Sequence, residues 1–184
     1  MSKLNMHVYE IETDRLRLRQ WRDSDLPVFA MMNADAETMR YFPSTFTVEQ
    51  SNSMAKRCRE LIEMRGWGFW AAEEKTTETF VGFIGLHVPS LEFPCSPCVE
   101  IGWRLVKTAW GKGLATEGAT AVLSFAFEKL ALTEVVSFTA LTNNRSERVM
   151  KRLGMQRDEF TFENPSIPLG HPLREHVLYR AFPR

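Results

Sequence analysis

Residues Val99–Gly118 read V-E-I-G-W-R-L-V-K-T-A-W-G-K-G-L-A-T-E-G, and this stretch decides the fold. In its first part, apolar residues alternate with Glu100, Gly102 and Arg104, which is the period of a β-strand. After the glycines the period becomes helical, because one face of a helix would collect the following residues: Leu114, Gly118, Ala121, Val122, Phe125 and Ala126. The sequence therefore predicts a strand that runs through a glycine-rich turn directly into a helix.

The turn Trp110–Gly113 would present unpaired N–H groups at the positive end of a helix dipole, which favours phosphate binding. A Walker A loop needs Lys after its last glycine, and Leu114 stands there. A dinucleotide fingerprint needs a third glycine, and this chain has Thr116 in that place. It also needs an acidic residue at the end of the next strand, and none directly follows the strand Val135–Ala140. Neither motif fits, which leaves a different phosphate ligand or a junction without a ligand.

The segment Trp110–Ala115 resembles the coenzyme A loop of the GNAT N-acetyltransferases, [QR]-x-x-G-x-[GA], with Trp110 in place of Gln or Arg. The form W-G-K-G-x-A-T-E after E-I-G-W is similar to the branch that acetylates the N-termini of ribosomal proteins. Three further segments look like the same branch, so the resemblance extends over nearly the whole chain: Thr13–Arg19, Asn143–Met155 and Gly170–Tyr179.

The resemblance implies an α/β fold with a mixed, twisted sheet of about seven strands flanked by helices, in the order β-α-α-β-β-β-α-β-α-β-β. It implies a single N-acetyltransferase domain over residues 1–184. The strand Val99–Leu105 and the strand Val135–Ala140 would splay apart and open a slot for the pantetheine arm of the coenzyme. The activity implied is acetyl transfer from acetyl-coenzyme A, as cosubstrate, to a primary amine.

The resemblance also implies which residues bind the coenzyme. They lie on the strand, in the loop and at the start of a later helix: Ile101, Trp103, Leu105, Gly111, Lys112, Gly113, Leu114, Ala115, Thr116, Asn143 and Ser146. A backbone N–H of this strand, from Trp103 or a neighbour, would polarise the acetyl carbonyl. Asn143 would contact the coenzyme or cap the following helix, and it could do both.

Two residues are candidates for catalysis. Glu100 alternates with Val99 and Ile101 and could face the cleft, where partial burial would raise its pKa and suit it to act as a base. Ser146 stands where many acetyltransferases carry a Tyr as general acid, and its hydroxyl could bond the departing sulfur. The alternatives are a solvent-facing strand glutamate and a plain polar residue on a buried helical face.

Composition limits the partners. Formal net charge is +0 and no apolar run reaches the roughly 20 residues of a membrane span, which argues against a nucleic-acid or membrane partner. The first residues lack a signal peptide's apolar core, so a cytoplasmic location is the expectation. The three cysteines, including the pair Cys95 and Cys98, predict neither a disulfide framework nor a metal site, although half a zinc site or a redox pair stays open. Oligomeric state is open between monomer and homodimer.

Two further segments bear on what the protein binds. Arg15, Arg17 and Arg19 alternate with leucines, which predicts a solvated strand face rather than a nucleic-acid surface. The segment Met39–Pro43 is aromatic with one cation and would either line an acceptor pocket or pack in the core. The acceptor itself could be a protein N-terminus or a small amine such as a polyamine or aminoglycoside. A non-catalytic acyl-coenzyme A sensor is the other function that the sequence allows.

Overall fold

The computed structural model describes residues 7–183, in which eight strands form one sheet flanked by four α-helices. The strands are β1 Ile11–Glu12, β2 Leu16–Arg19, β3 Phe69–Glu74, β4 Thr79–His87, β5 Glu100–Leu105, β6 Val135–Ala140, β7 Gln156–Glu163 and β8 Glu175–Ala181. The helices are α1 Leu26–Ala34, α2 Val48–Arg65, α3 Leu114–Glu128 and α4 Asn144–Arg152. Within the described range, no helix combines the length and apolar composition that a membrane crossing requires.

The strands lie in the order β1-β2-β3-β4-β5-β6-β8-β7, antiparallel throughout except for the parallel pair β5–β6. The predicted α/β fold and element order are confirmed, with one difference in strand count. The segment predicted as one first strand forms β1 and β2, because the Thr13 hydroxyl accepts the N–H of Leu16 at 2.9 Å and closes a tight turn between them.

Helix α3 covers one face of the sheet, called the α3 face here. Gly118 makes this close approach possible, since a Cβ at that position would stand 2.5 Å from Cδ1 of Ile84 and 3.2 Å from Cδ1 of Leu16. Ile101 lies on the same face and is fully buried. The predicted amphipathic helix is therefore confirmed, with its buried side against the strands of the N-terminal half of the sheet.

Helices α1 and α2 cover the opposite face, called the α1 face here. Phe29 of α1 packs edge-on against Phe83 of β4, with ring centroids 6.1 Å apart. Helix α2 begins with a capping box, in which the side chains of Thr47 and Gln50 accept each other's backbone N–H. Arg104 pairs with Phe83 in register, so its side chain lies on this face too.

A loop covers the α1 face of the C-terminal half. It joins β4 to β5, and its Phe93 stacks on Phe138 of β6 with centroids 4.8 Å apart. Cys95 and Cys98 lie in the same loop as free thiols, with their sulfurs 3.0 Å apart. Among residues 7–183, no group of three or more His, Cys, Asp or Glu side chains is arranged to hold a metal ion.

The prediction of a solvated arginine face on the first strands was wrong at Arg19. This side chain is buried and bonds the carboxylates of Asp25, at 2.8 and 2.9 Å, and of Glu73, at 2.7 Å. Glu73 also accepts from Arg17 and Arg22. The alternation of the sequence identifies the face correctly, but it does not show that acidic partners 6 and 54 residues away cover it.

Candidate active site

The strands β5 and β6 diverge at their carboxyl ends. One residue pair joins them in register, Glu100 with Val136, and Val136 N–H donates to the carbonyl of Val99 at 2.9 Å. Val106 N–H donates to Val81 O on the other side, toward β4. Since backbone groups alternate in direction along a strand, those of Ile101 and Trp103 point into the gap between β5 and β6.

Because of this alternation, the backbone and the side chains of the β5 residues predicted to bind the coenzyme lie in different environments. The side chains of Ile101 and Leu105 are buried in the core, and that of Trp103 is half-buried. Their backbone groups face the gap instead, with the Leu105 carbonyl accepting the indole N–H of Trp110 at 2.8 Å. Any ligand in the gap would therefore meet the backbone of β5 rather than its apolar side chains.

The loop after β5 ends at an uncapped helix. Helix α3 has no side-chain cap hydrogen bond, whereas Thr47 caps α2 and Asn143 caps α4. The first intrahelical bond of α3 runs from Glu117 N–H to the carbonyl of Gly113, so the preceding N–H groups are open at the end of the helix dipole. This is the environment that an anionic group such as a pyrophosphate requires.

Glycines give the loop its shape and leave its surface clear. Gly111 and Gly113 have φ of 74° and 79°, in the left-handed region that favours glycine. A Cβ at Gly111 would meet no atom within 4 Å, and one at Gly113 would meet the Arg15 side chain at 3.6 Å. The two glycines of the predicted loop therefore leave open space where side chains would otherwise stand.

The loop is held from the first hairpin. Arg15 donates to the carbonyl of Lys112 at 2.9 Å and pairs with Glu117 at 2.6 Å. Glu117 also accepts from the hydroxyl of Thr13 at 2.6 Å. The final E of the W-G-K-G-x-A-T-E form is therefore an anchor that fixes the loop relative to the sheet.

Trp110 stands where the coenzyme A pattern has Gln or Arg, and its ring joins the loop to α4. The Arg145 guanidinium lies over that ring, 4.4 Å from its centroid. Glu37, after α1, pairs with Lys107 at 2.7 Å and lies 3.7 Å from Arg145. These contacts connect three separate segments around the carboxyl ends of β5 and β6.

Asn143 and Ser146 lie at the carboxyl end of β6. The side-chain Oδ1 of Asn143 accepts Ser146 N–H at 3.2 Å, which caps α4 as the sequence allows. Its amide nitrogen donates to Thr139 Oγ1 at 2.8 Å and to Ser146 Oγ at 3.1 Å. Ser146 Oγ is an acceptor in this contact, and no acceptor among residues 7–183 takes its proton. The hydroxyl is oriented by Asn143 and keeps a donor available.

Glu100 lies where the two strands separate, on the α1 face. It is half-buried, and burial raises its pKa from 4.5 to about 8. Its register partner on β4 is His87, whose ring stacks on Phe69 with centroids 5.3 Å apart and whose pKa burial lowers. Two proton-carrying side chains therefore lie side by side on an aromatic surface.

A model of the acetyltransferase (GNAT) domain family matches residues 15–156, which is most of the chain. The chain belongs to the GNAT acetyltransferase family. It is an acyltransferase that uses acetyl-coenzyme A as cosubstrate, so the open end of α3 and the gap beside β5 are features of a GNAT domain.

Two proteins of similar sequence agree with the assignment to the GNAT family. The uncharacterised N-acetyltransferase YoaA of Bacillus subtilis is 30% identical over 181 residues, covering 95% of this chain and 97% of YoaA. The FsC-acetyl coenzyme A-N(2)-transacetylase of Aspergillus fumigatus is 36% identical over 146 residues, covering 74% of this chain and 60% of that protein.

Solved structures share the fold. A GNAT acetyltransferase from Bacillus anthracis superposes with a TM-score of 0.78 at 24% identity, covering 95% of this chain and 98% of that one. RimL, a ribosomal L7/L12 α-N-protein acetyltransferase in complex with coenzyme A, superposes with a TM-score of 0.74 at 14% identity, covering 95% and 98%. At these identities the likeness establishes the GNAT architecture alone.

The sequence did not indicate several residues that shape this GNAT site. Arg15 and Glu117 belong to motifs quoted above, but their mutual contact spans 102 residues. Arg145 and Glu37 meet across the mouth of the gap, and His87 joins Glu100 through strand register. The alternation of β4 and β5 could have placed His87 on the face of Glu100, whereas nothing in the sequence predicts the other contacts.

Proposed function

We propose that this GNAT enzyme acetylates a primary amine that binds on the α1 face, with Glu100 as the base. The observation that carries the proposal is the half-buried Glu100 carboxylate, with its pKa raised to about 8, at the point where β5 and β6 separate. A base is most effective when its pKa lies near the working pH. A solvent-facing strand glutamate would keep a pKa near 4.5 and would be a weaker base.

The other residues have roles that follow from the same geometry. The open N–H groups at the start of α3, from Gly113 to Thr116, would hold the coenzyme's pyrophosphate, with Gly111 and Lys112 shaping the loop. The backbone of Ile101 and Trp103 would bind the pantetheine arm and the acetyl carbonyl in the gap. Bound there, acetyl-coenzyme A supplies the acetyl group and a thiolate leaving group.

Ser146 is proposed to donate its hydroxyl proton in a hydrogen bond to the departing sulfur. Its Oγ already accepts from Asn143, which fixes the oxygen while leaving the proton free. Asn143 is then chiefly a positioning residue, because its own donors are used by Thr139 and Ser146. Glu100 removes the proton of the amine, directly or through one water, on the other side of the gap.

For the acceptor, we propose an amine presented by a peptide, as at a protein N-terminus. The likeness to RimL, an α-N-protein acetyltransferase, supports a peptide α-amine, whereas the A. fumigatus N(2)-transacetylase supports a small-molecule N(2) amine. We further propose that the chain forms one domain and works in the cytoplasm. The free state of Cys58, Cys95 and Cys98 agrees with a reducing compartment.

The test is thiol release from acetyl-coenzyme A with peptides, polyamines and aminoglycosides as acceptors, first for the wild-type enzyme and then for Glu100→Gln. The variant keeps the shape of the side chain and removes its basicity, so kcat should fall by about 10²–10⁴-fold with the accepted amine. Glu128→Gln, an exposed glutamate at the end of α3, is the matched control and should retain activity.

The pH profile gives a second readout. A base must be ionised to act, so with a pKa of about 8 the active fraction of Glu100 rises as pH increases toward 8. A peptide amine has a pKa in the same range, about 7.7–8.0, and must lose its ammonium proton to solvent before it attacks; Glu100 then accepts the further N–H proton that the nitrogen releases as the amide forms. The slope of log kcat/KM against pH should approach two below pH 7 and fall to one in Glu100→Gln. A less than threefold loss of rate with an unchanged slope would exclude Glu100 as the base.

A further inference from the structure

Arg104 is a buried cation on the same face as Glu100. It stands four residues further along β5, and its side chain is 8% exposed beneath the connection between α1 and α2. Its Nη1 donates to Oδ1 of Asn33 at 2.6 Å, and Asn33 in turn donates to Ser51 of α2. The Phe42 ring lies over the guanidinium, with its centroid 4.1 Å from Cζ.

No negative charge compensates this cation within residues 7–183. Its Nε has no hydrogen-bond partner, and its one hydrogen-bond acceptor is a neutral amide. Cys58 is the ionisable neighbour that acts on Arg104, and burial raises the pKa of that thiol to about 12, so the thiol is uncharged. A buried charge without an oppositely charged partner is unfavourable, so a ligand that brought a carboxylate to Arg104 would supply the missing partner.

Three aromatic rings lie around the guanidinium: the centroids of Phe42, Phe46 and Phe83 are 4.1, 5.7 and 5.4 Å from Cζ. Phe83 is buried in the sheet, whereas Phe42 is 39% exposed and belongs to residues 35–47, which contain neither helix nor strand. Phe42 is therefore the ring whose movement would open the guanidinium to a ligand. Displacement of this side chain would expose Nε and Nη2, which together form the planar pair of donors that a carboxylate bonds.

The position on the strand limits the acidic ligand. Glu100 and Arg104 lie four residues apart on one strand, which places their Cα atoms about 13 Å apart. Gly102 lies between them without a side chain, and the Phe69 ring covers it, since a Cβ there would stand 3.2 Å from the ring. A free α-amino acid carries its amine and carboxylate on one carbon and cannot reach both residues.

We propose that Arg104 binds a carboxylate of the acceptor, two to three peptide units from the amine that Glu100 deprotonates. This inference rests on the proposed function for the position of the amine. An extended tripeptide spans about 10 Å between its ends and fits the interval across the aromatic rings of β3 and β4. The substrate class is therefore a short peptide, or an amine of similar length, that ends in or carries an acidic group.

The experiment compares the tripeptide Ala-Ala-Ala with its C-terminal amide, which differs only by the charge. With wild-type enzyme, kcat/KM for the acid should exceed that for the amide by about 10- to 100-fold, the range for hydrogen bonds to a charged group. Arg104→Met should reduce this ratio to about one, and Arg104→Lys should give an intermediate value. Free alanine is too short and should show no preference over alaninamide.

A matched control and a binding assay make the result specific. Arg57→Met removes an exposed cation from helix α2 and should leave the acid-to-amide ratio as in the wild type. In thermal unfolding with coenzyme A present, the acid should raise Tm more than the amide, and this difference should vanish in Arg104→Met. Equal kcat/KM values and equal Tm shifts for acid and amide in the wild type would overturn the inference.

The two proposals fail in different ways. Absence of thiol release with every amine tested would refute the proposed function, while a larger Tm shift with the acid would still support an acid site at Arg104. Turnover of both peptides at one rate, with Glu100→Gln inactive, would retain the proposed function and remove the acid site. A loss of Tm in Arg104→Met with the acid-to-amide ratio unchanged would assign Arg104 a structural role only.

Discussion

Two groups of charged residues lie on the α1 face, and they differ in whether each buried charge has an oppositely charged partner. In the first group, around Arg19, opposite charges are paired: Arg17, Arg19, Arg22, Asp25 and Glu73. In the second group, Glu100 and Arg104 have no charged partner among the described residues. Burial therefore raises the pKa of Glu100 and lowers that of Arg104, each toward its neutral form.

The direction of the pKa change distinguishes the two groups. Burial would lower the pKa of Arg19 as it does that of Arg104, but the hydrogen bonds that Arg19 donates to Asp25 and Glu73 outweigh it and raise the pKa. A group with all its charges paired gains nothing from a ligand. Glu100 and Arg104, which have no such partners, can instead take up a proton or pair with the charge of a ligand. Both residues lie on β5, beside the gap between β5 and β6.

The largest expected effect tests this contrast through stability. Arg19→Met would leave the buried carboxylates of Asp25 and Glu73 without their main partner and should lower the free energy of unfolding by about 3–5 kcal/mol. Arg104→Met removes an uncompensated charge and leaves one neutral acceptor, Asn33, without its donor, so its cost should stay below about 2 kcal/mol. Urea denaturation of both variants measures the difference. Equal losses would mean that both arginines are structural.

The next effect concerns the uncapped start of α3. Gly113→Val should weaken coenzyme A binding by about 100-fold, because a side chain would stand where the pyrophosphate meets the N–H groups. Gly170→Val is the matched control, since Gly170 has a similar φ of 78° and a Cβ there would meet no atom within 4 Å, but it lies in the loop before β8. Calorimetric titration with coenzyme A compares the two. Equal affinities would place the pyrophosphate elsewhere.

The smallest expected effect concerns Ser146, whose hydroxyl is satisfied as an acceptor but not as a donor. Ser146→Ala should lower kcat by about 10- to 150-fold, because the proposed bond strengthens only as the thiolate departs. The KM for acetyl-coenzyme A should change by less than about threefold. Ser124→Ala, at an exposed position on α3, serves as the control. An unchanged kcat in Ser146→Ala would leave the thiolate to be protonated by water.

The sequence predicted those features that depend on local periodicity and caps. The strand predicted over Val135–Ala140 is confirmed as β6. The capping box at Thr47 and the left-handed Gly154 after α4 depend in the same way on neighbouring residues alone. The predicted glycine loop lies at the open end of α3 for the same reason. Local chemistry determines these elements, because the interacting groups are within a few residues of one another.

The sequence did not predict the pairing of charges across the sheet. Nothing near Arg19 indicates that Glu73 would reach it, and nothing near Arg104 indicates that no acid would. Both arginines alternate with apolar residues on their strands, and by that pattern alone they are equivalent. Strand order and helix placement decide which of them finds a carboxylate, and these are properties of the whole sheet.

The single register pair between β5 and β6 also bears on how the protein opens and folds. The strands on the two sides of this pair come from two continuous stretches of chain, residues 11–105 and residues 135–181. Within each stretch, neighbouring strands are antiparallel. Each stretch forms its strand pairs within its own segment, which keeps loop-closure costs low. One hydrophobic core nevertheless runs across both stretches, from Leu16 and Ile84 to Val135 and Val177, so side-chain packing holds together the two halves that backbone hydrogen bonds join at a single point.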